Sequence, residues 1–211
     1  MVLVSHKYKF IYIKNRKVAG SSVESFFGQF CINPVEKYSF DDSIAEHIDD
    51  YGIIGSRTKL VSLNDKWKNH KSAISIKTDL GDDTFNQYIK FCVIRNPYDI
   101  MVSAYFFYTK AEENTSFKEF SKKKRINNFE IYSINGNSVC DYYIRYENLQ
   151  EDIVKMCTIL NINNYDINDL PTHKSEFRDK QKHYREYYDE ETRKIVYENH
   201  KKEFELFGYT F

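Results

Sequence analysis

Three groups of side chains in this 211-residue chain are of types that could do chemistry. The first is Arg16-Lys17-Val18-Ala19-Gly20-Ser21-Ser22, two cations followed by small residues, placed between a β-branched run and an apolar periodic segment. A helix N-terminus presents unpaired backbone N–H groups and a partial positive charge, so small residues entering a helix there can hold a phosphate. The second group is Arg95 with Ser103 further along the same segment. The planar guanidinium fork can donate two hydrogen bonds to one phosphate, and a serine hydroxyl can complete the shell. The third is a set of side chains able to accept a proton, His70, Glu24, Asp41, Asp42 and Glu46.

Each group also has a plainer reading. A strand-turn-helix corner containing Gly and Ser is common, Arg95 could be a surface ion-pair partner, and Ser103 a small residue at a helix contact. Glu24 could pair locally with Lys17 or Arg16, or face the helix dipole. His70 could cap a helix or order the site, and His47 reads as a helix-surface residue. The run Lys122-Lys123-Lys124-Arg125 reads as a solvated helix face, with an anionic acceptor as the other use. In the nucleoside triphosphate loop GxxxxGK[ST] the lysine follows the second glycine; here Lys17 precedes Gly20, and the chain has no earlier glycine.

The elements that must position these groups follow from periodicity. Residues Tyr8 to Lys14 read as a strand, and Val23, Phe26, Phe27 and Phe30 place a helix from Ser21. Phe91 to Arg95 reads as a buried strand, with Asn96 as N-cap and Pro97 opening a helix through about Lys110. Val139 to Tyr146 is a third strand, leading into a helix over Leu149, Ile153, Met156, Cys157 and Leu160. One last helix runs from an Asp189 cap, with Glu190 and Glu191 in its first turn and Lys201 and Lys202 near its end, to Gly208. Turn signals stand at Asn33-Pro34 and Asn135-Gly136. Alternating strands and helices imply a parallel α/β sheet.

Composition narrows the class. With 41% hydrophobic residues and few Gly or Pro, residues 1–211 fit one globular domain. The 31 basic and 31 acidic side chains cancel, so no overall field draws the chain to nucleic acid or to an anionic membrane. No apolar run approaches the roughly 20 residues needed to span a bilayer. Cys31, Cys92, Cys140 and Cys157 form no CxxC pair and read as reduced core residues, and a cytoplasmic location is expected.

The lysine ahead of Ala-Gly-Ser-Ser resembles the 5′-phosphosulfate loop of sulfotransferases, particularly the PKTAGTS-type loop of carbohydrate sulfotransferases; Arg16 stands where those families usually carry proline. Phe91 to Tyr105, a strand ending Arg-Asn-Pro followed by Asp99, Ser103 and Tyr105, resembles their 3′-phosphate motif. Asn69 to Ala73, Arg145 to Leu149, His183 to Arg185 and Phe207 to Phe211 are similar to segments of the bacterial family 2 sulfotransferases, in order along most of the chain.

The resemblance implies a P-loop NTPase-like three-layer fold with a central parallel sheet of about five strands and helices on both faces. It implies the donor PAPS (3′-phosphoadenosine 5′-phosphosulfate), with PAP as product, and a carbohydrate hydroxyl as acceptor. Arg16, Lys17, Ala19, Gly20, Ser21, Ser22, Arg95 and Ser103 would bind the donor, Lys17 would stabilise the leaving phosphate, and His70 would be the base; no metal ion is required. A basic loop with Arg178, Lys180, Lys182 and Arg185 would supply a contact to the 3′-phosphate. Two other readings stay open: a silent module that binds PAP or glycan without a base, and a kinase on a similar sheet.

Overall fold

The runs Met1-Val2-Leu3-Val4 and Phe10-Ile11-Tyr12-Ile13 are buried throughout, which is what strands covered on both faces require. In the computed structural model, which describes residues 1–36, 38–41, 43–57, 64–109, 115–171 and 182–211, they form β1 (Leu3–Ser5) and β2 (Phe10–Tyr12). Next come α1 (Gly20–Gly28), β3 (His47–Ile48), β4 (Gly52–Ile54), α2 (Ala73–Leu80), α3 (Asp82–Gln87) and β5 (Ile89–Ile94). Then follow α4 (Pro97–Thr109), α5 (Phe117–Lys123), β6 (Ser133–Ile134), β7 (Asn137–Ser138) and β8 (Tyr142–Arg145). The last elements are α6 (Leu149–Ile159), α7 (Glu190–Asn199) and α8 (Lys201–Phe207). The chain groups into two compact units: Met1–Asn15, Ala19–Ile94 and Glu130–His173 form the first, and Arg16–Val18, Arg95–Phe129 and Lys174–Phe211 the second.

The first unit is built on a six-stranded sheet of order β3-β4-β1-β2-β5-β8. Only β2, β5 and β8 run parallel; β1 pairs antiparallel with β2 and β4, and β3 antiparallel with β4. The central parallel sheet expected from the sequence is therefore corrected to a mixed one, parallel across β2, β5 and β8. Residues His6 to Lys9 alone join β1 to β2, and so short a link permits only a hairpin, whereas parallel neighbours need a long crossover. The strand begins at Phe10 rather than Tyr8 because Lys9, at φ 52°, closes that turn. Phe27 of α1 packs on the sheet, its ring centroid 5.7 Å from that of Phe10 and 5.0 Å from that of Phe91. Asn135 and Gly136, at φ 51° and 77°, form the two-residue turn between β6 and β7, the backbone that Asn-Gly favours in a hairpin. Cys31, Cys92 and Cys157 are buried as expected, but Cys140 is not, because β8 starts only at Tyr142 and leaves it in the preceding loop.

The second unit is helical. Asn96 caps α4 as its sequence signals, its Oδ1 accepting from the Tyr98 N–H at 3.0 Å, with Pro97 in the first turn. Tyr98 then meets the rings of Tyr188, Phe204 and Phe211 at 4.9–5.2 Å. The single last helix becomes two. His200 leaves helical geometry at φ −124°, where its buried Nδ1 meets the buried Glu203 carboxylate at 2.7 Å. Lys201 and Lys202 consequently open α8 instead of closing one long helix, and the expected match to the helix dipole does not arise there.

Candidate functional site

The loop after β2 is held residue by residue. In the first unit Ile13 continues the ladder by donating to the Phe91 carbonyl at 2.9 Å, and Asn15 Nδ2 donates to the Val93 carbonyl at 2.9 Å. In the second unit the buried Asn128 clasps the backbone of Arg16, accepting from its N–H at 2.8 Å and donating to its carbonyl at 3.0 Å. Lys17 then takes a left-handed backbone at φ 62°, as does Ala19 at φ 61° in the first unit. A non-glycine residue there costs roughly 1–2 kcal/mol, and such strain persists only where surrounding bonds impose it.

Ala19 caps α1 with no side-chain bond, its carbonyl accepting from the N–H groups of Ser22 and Val23. The N–H groups of Ala19, Gly20 and Ser21 find no acceptor among the described residues. They are the orphan donors of a helix N-terminus, joined to its partial positive charge. Gly20 is not itself left-handed; those positions fall on Lys17 and Ala19. A Cβ at Gly20 would lie 3.1 Å from Lys14 Cε and 3.2 Å from the Tyr12 hydroxyl, so the missing side chain lets α1 seat closely on β2. Ser21 is half-buried and Ser22 is buried.

Beneath this helix entrance lies an ion cluster centred on Glu24, whose side chain is fully buried. The carboxylate meets Lys14 Nζ at 2.6 Å, the Arg57 guanidinium and the Met1 ammonium. Burial pushes the Glu24 carboxyl up, but the surrounding cations, Lys14 foremost, outweigh it and hold the group below the usual range. Arg57 also donates from Nη2 to Ser21 Oγ at 3.0 Å. Glu24 is thus committed to Lys14, Arg57 and the amino terminus, and the expected local pair with Lys17 or Arg16 is replaced by these partners.

His70 lies in the same unit, half-buried, with φ 56°. It does not open α2; Ser72 does, accepting from the Ser75 N–H. The imidazole Nδ1 stands 3.1 Å from the Lys14 carbonyl oxygen. A carbonyl only accepts, so Nδ1 carries the proton, and Nε2 is the basic nitrogen of the neutral ring.

In the second unit Arg95 follows β5 directly and is 8% exposed. Its Nε and Nη2 each lie 2.7 Å from Asp99 Oδ2, and its Nη1 donates to the Lys17 carbonyl at 3.0 Å. Asp99, Ser103 and Phe107 recur every four residues on α4 and so share one face of it. At the far end of that stripe the Lys17 ammonium sits 3.8 Å from the Phe107 ring centroid.

The remaining candidates disperse. Asp41 is exposed and accepts from the Ser43 N–H, and Glu46 accepts from the Trp67 N–H. Asp42 lies outside the described residues, as do Arg178 and Lys180. His47 is corrected from a helix surface to β3, where it meets Asp49 at 3.0 Å. Arg185 donates to the Phe211 carbonyl at 2.9 Å, and Lys182 is exposed. Lys122 pairs with Glu191, and Lys124 lies over the Tyr108 ring. Sequence reading missed Arg57, Asn128 and Phe107, which belong to no motif; Asp99 sat inside one, without a role. Among the described residues, no helix is long and apolar enough to cross a membrane.

Comparison with known proteins gives this geometry a context. The profile of the Sulfotransferase family matches residues 1–210. An uncharacterized protein of Archaeoglobus fulgidus is 37% identical over 89 residues, covering 38% of this chain and 74% of the relative. No solved structure matches.

Proposed function

We propose, from the premise that this chain belongs to the sulfotransferase family, that it passes the sulfuryl group of PAPS to a carbohydrate hydroxyl on a P-loop-like α/β scaffold. The observation that carries the reading is the entrance to α1. There Ala19, Gly20 and Ser21 offer N–H groups with no protein acceptor among the described residues, just after Lys17 in the chain. A phosphosulfate fits such a donor set, since it is all acceptor and negatively charged.

When bound, PAPS supplies an activated sulfuryl group whose departure leaves charge on its 5′-phosphate. The Lys17 ammonium, with Arg16 as a second cation, meets that charge as it develops. The loop N–H groups and the hydroxyls of Ser21 and Ser22 fix the donor for in-line attack. Arg95, oriented by Asp99, and Ser103 take the 3′-phosphate. His70, its Nδ1–H tied to the Lys14 carbonyl, accepts the hydroxyl proton at Nε2 as the new S–O bond forms.

Residues 1–211 act in this reading as one sulfotransferase domain working in the cytoplasm, where its buried thiols would stay reduced. Sulfur-labelled PAPS offered to a panel of oligosaccharides tests the assignment. Label on a glycan with matching release of PAP is the expected result. Label only on phenolic or steroid acceptors would overturn the carbohydrate assignment, and PAP binding with no transfer to any acceptor would favour the silent module.

A further inference from the structure

We infer that Arg57 is a positioning residue for the donor, acting through the Ser21 hydroxyl. The inference rests on reading Ala19 to Ser22 as the donor's phosphate loop. Arg57 is 2% exposed and stands just past β4, its backbone N–H bonded to the Ile44 carbonyl at 2.8 Å. Its guanidinium lies 4.5 Å from the Phe40 ring centroid, and Nη2 donates both to Ser21 Oγ, at 3.0 Å, and to Glu24.

A guanidinium has no acceptor, so in this contact Ser21 Oγ must receive the hydrogen bond, and its own proton is directed elsewhere. The groups beside Ser21 at the helix entrance are N–H donors, so the proton joins theirs in facing an anion. A serine that could rotate freely is thereby fixed as a donor, with a buried positive charge one hydrogen bond behind it. Glu24 holds that charge in place, and Lys14 shares the carboxylate. Burying a guanidinium is costly, and apolar side chains of similar volume often serve stability as well or better. A buried arginine bonded to a hydroxyl of the phosphate loop therefore points to use by the ligand.

The test is a double-mutant cycle on PAP affinity, measured calorimetrically for wild type, Arg57→Gln, Ser21→Ala and the double variant. Each single change weakens PAP by about tenfold. Because one acts through the other, the double variant loses no more than about twofold beyond either. Losses that multiply to about a hundredfold would overturn the inference, since a merely structural Arg57 would not depend on Ser21. Should Arg57→Gln fail to fold, the arginine side-chain nitrogen signals decide the matter in folded protein. Saturating PAP shifts the Arg57 signal in wild type and leaves it in place in Ser21→Ala; equal shifts in both would sink the idea. A wild type that binds no PAP would overturn the donor reading itself, and this inference with it.

Discussion

Arg95 Nη1 donates to the backbone carbonyl of Lys17 at 3.0 Å. The residue assigned to the donor's 3′-phosphate thus also holds the backbone of the residue assigned to its 5′-phosphosulfate. Asp99 steadies the same guanidinium through two contacts of 2.7 Å. Under the proposed function, one side chain would link the position of the lysine, whose backbone is left-handed at φ 62°, to recognition of the distal phosphate.

Asp99→Asn should loosen Arg95 without emptying its position. PAP affinity should fall about tenfold, the scale of one hydrogen bond to a charged group. Adenosine 5′-phosphosulfate, which lacks the 3′-phosphate, should lose less, because it senses Arg95 only through the bond to the Lys17 carbonyl. Titration calorimetry with both ligands checks this, and equal losses would show that Asp99 has no bearing on the 3′-phosphate.

Lys17→Ala should remove most of the transfer rate, by about 10²–10³-fold in kcat, the cost of deleting a preorganised charge at the leaving group. Its ammonium rests on the partly exposed Phe107 ring rather than in the core, so Tm should change little. Rates at saturating PAPS together with a thermal scan make the comparison. A rate loss matched by unfolding would assign Lys17 to the fold instead.

His70→Gln retains a side chain able to reach the Lys14 carbonyl but has no basic nitrogen. The rate should fall about 10²–10⁴-fold, the usual yield of general base catalysis, with PAP affinity unchanged. Retained activity would redirect the search to Asp41, Asp42 or Glu46, because Glu24 is enclosed by its cations.

Glu24→Gln should cost about 3–5 kcal/mol of stability, since Lys14 and Arg57 would lose the charge that offsets their burial. The sign of the pH effect follows from the carboxyl lying lower in the folded than in the unfolded chain. The Glu24 contribution is present above the unfolded value of about 4.3 and is lost as pH falls through the depressed folded value. Acid titration of Tm should therefore be flatter in the variant than in wild type over that window.

Much of the fold was legible because single residues dictated it. Asn96 and Pro97 marked the start of α4, Asp189 that of α7, and Asn135-Gly136 a turn. The mixed sheet was hidden because Tyr8 to Lys14 and the apolar amino terminus each look like a strand of either direction; only the brevity of the link between them decides. The break at His200 depends on Glu203, a tertiary choice that periodicity does not encode. Of the candidate site, the small-residue loop stood out by residue type, and the Arg95 to Ser103 segment only through its resemblance to a known motif. Arg57 and Phe107 did not, because a lone arginine after a strand and an aromatic on a helix acquire meaning only from the partners that the fold brings to them.

What the folded chain prefers to bind tests the proposed sulfotransferase site most directly. A ligand that favours the native state raises Tm in proportion to its affinity and concentration. With PAP and with ATP plus Mg²⁺ compared at equal concentration, PAP should raise Tm by several degrees, roughly the effect of a concentration one hundred times Kd, and ATP should do far less. Stabilisation by ATP with none from PAP would contradict the sulfotransferase site.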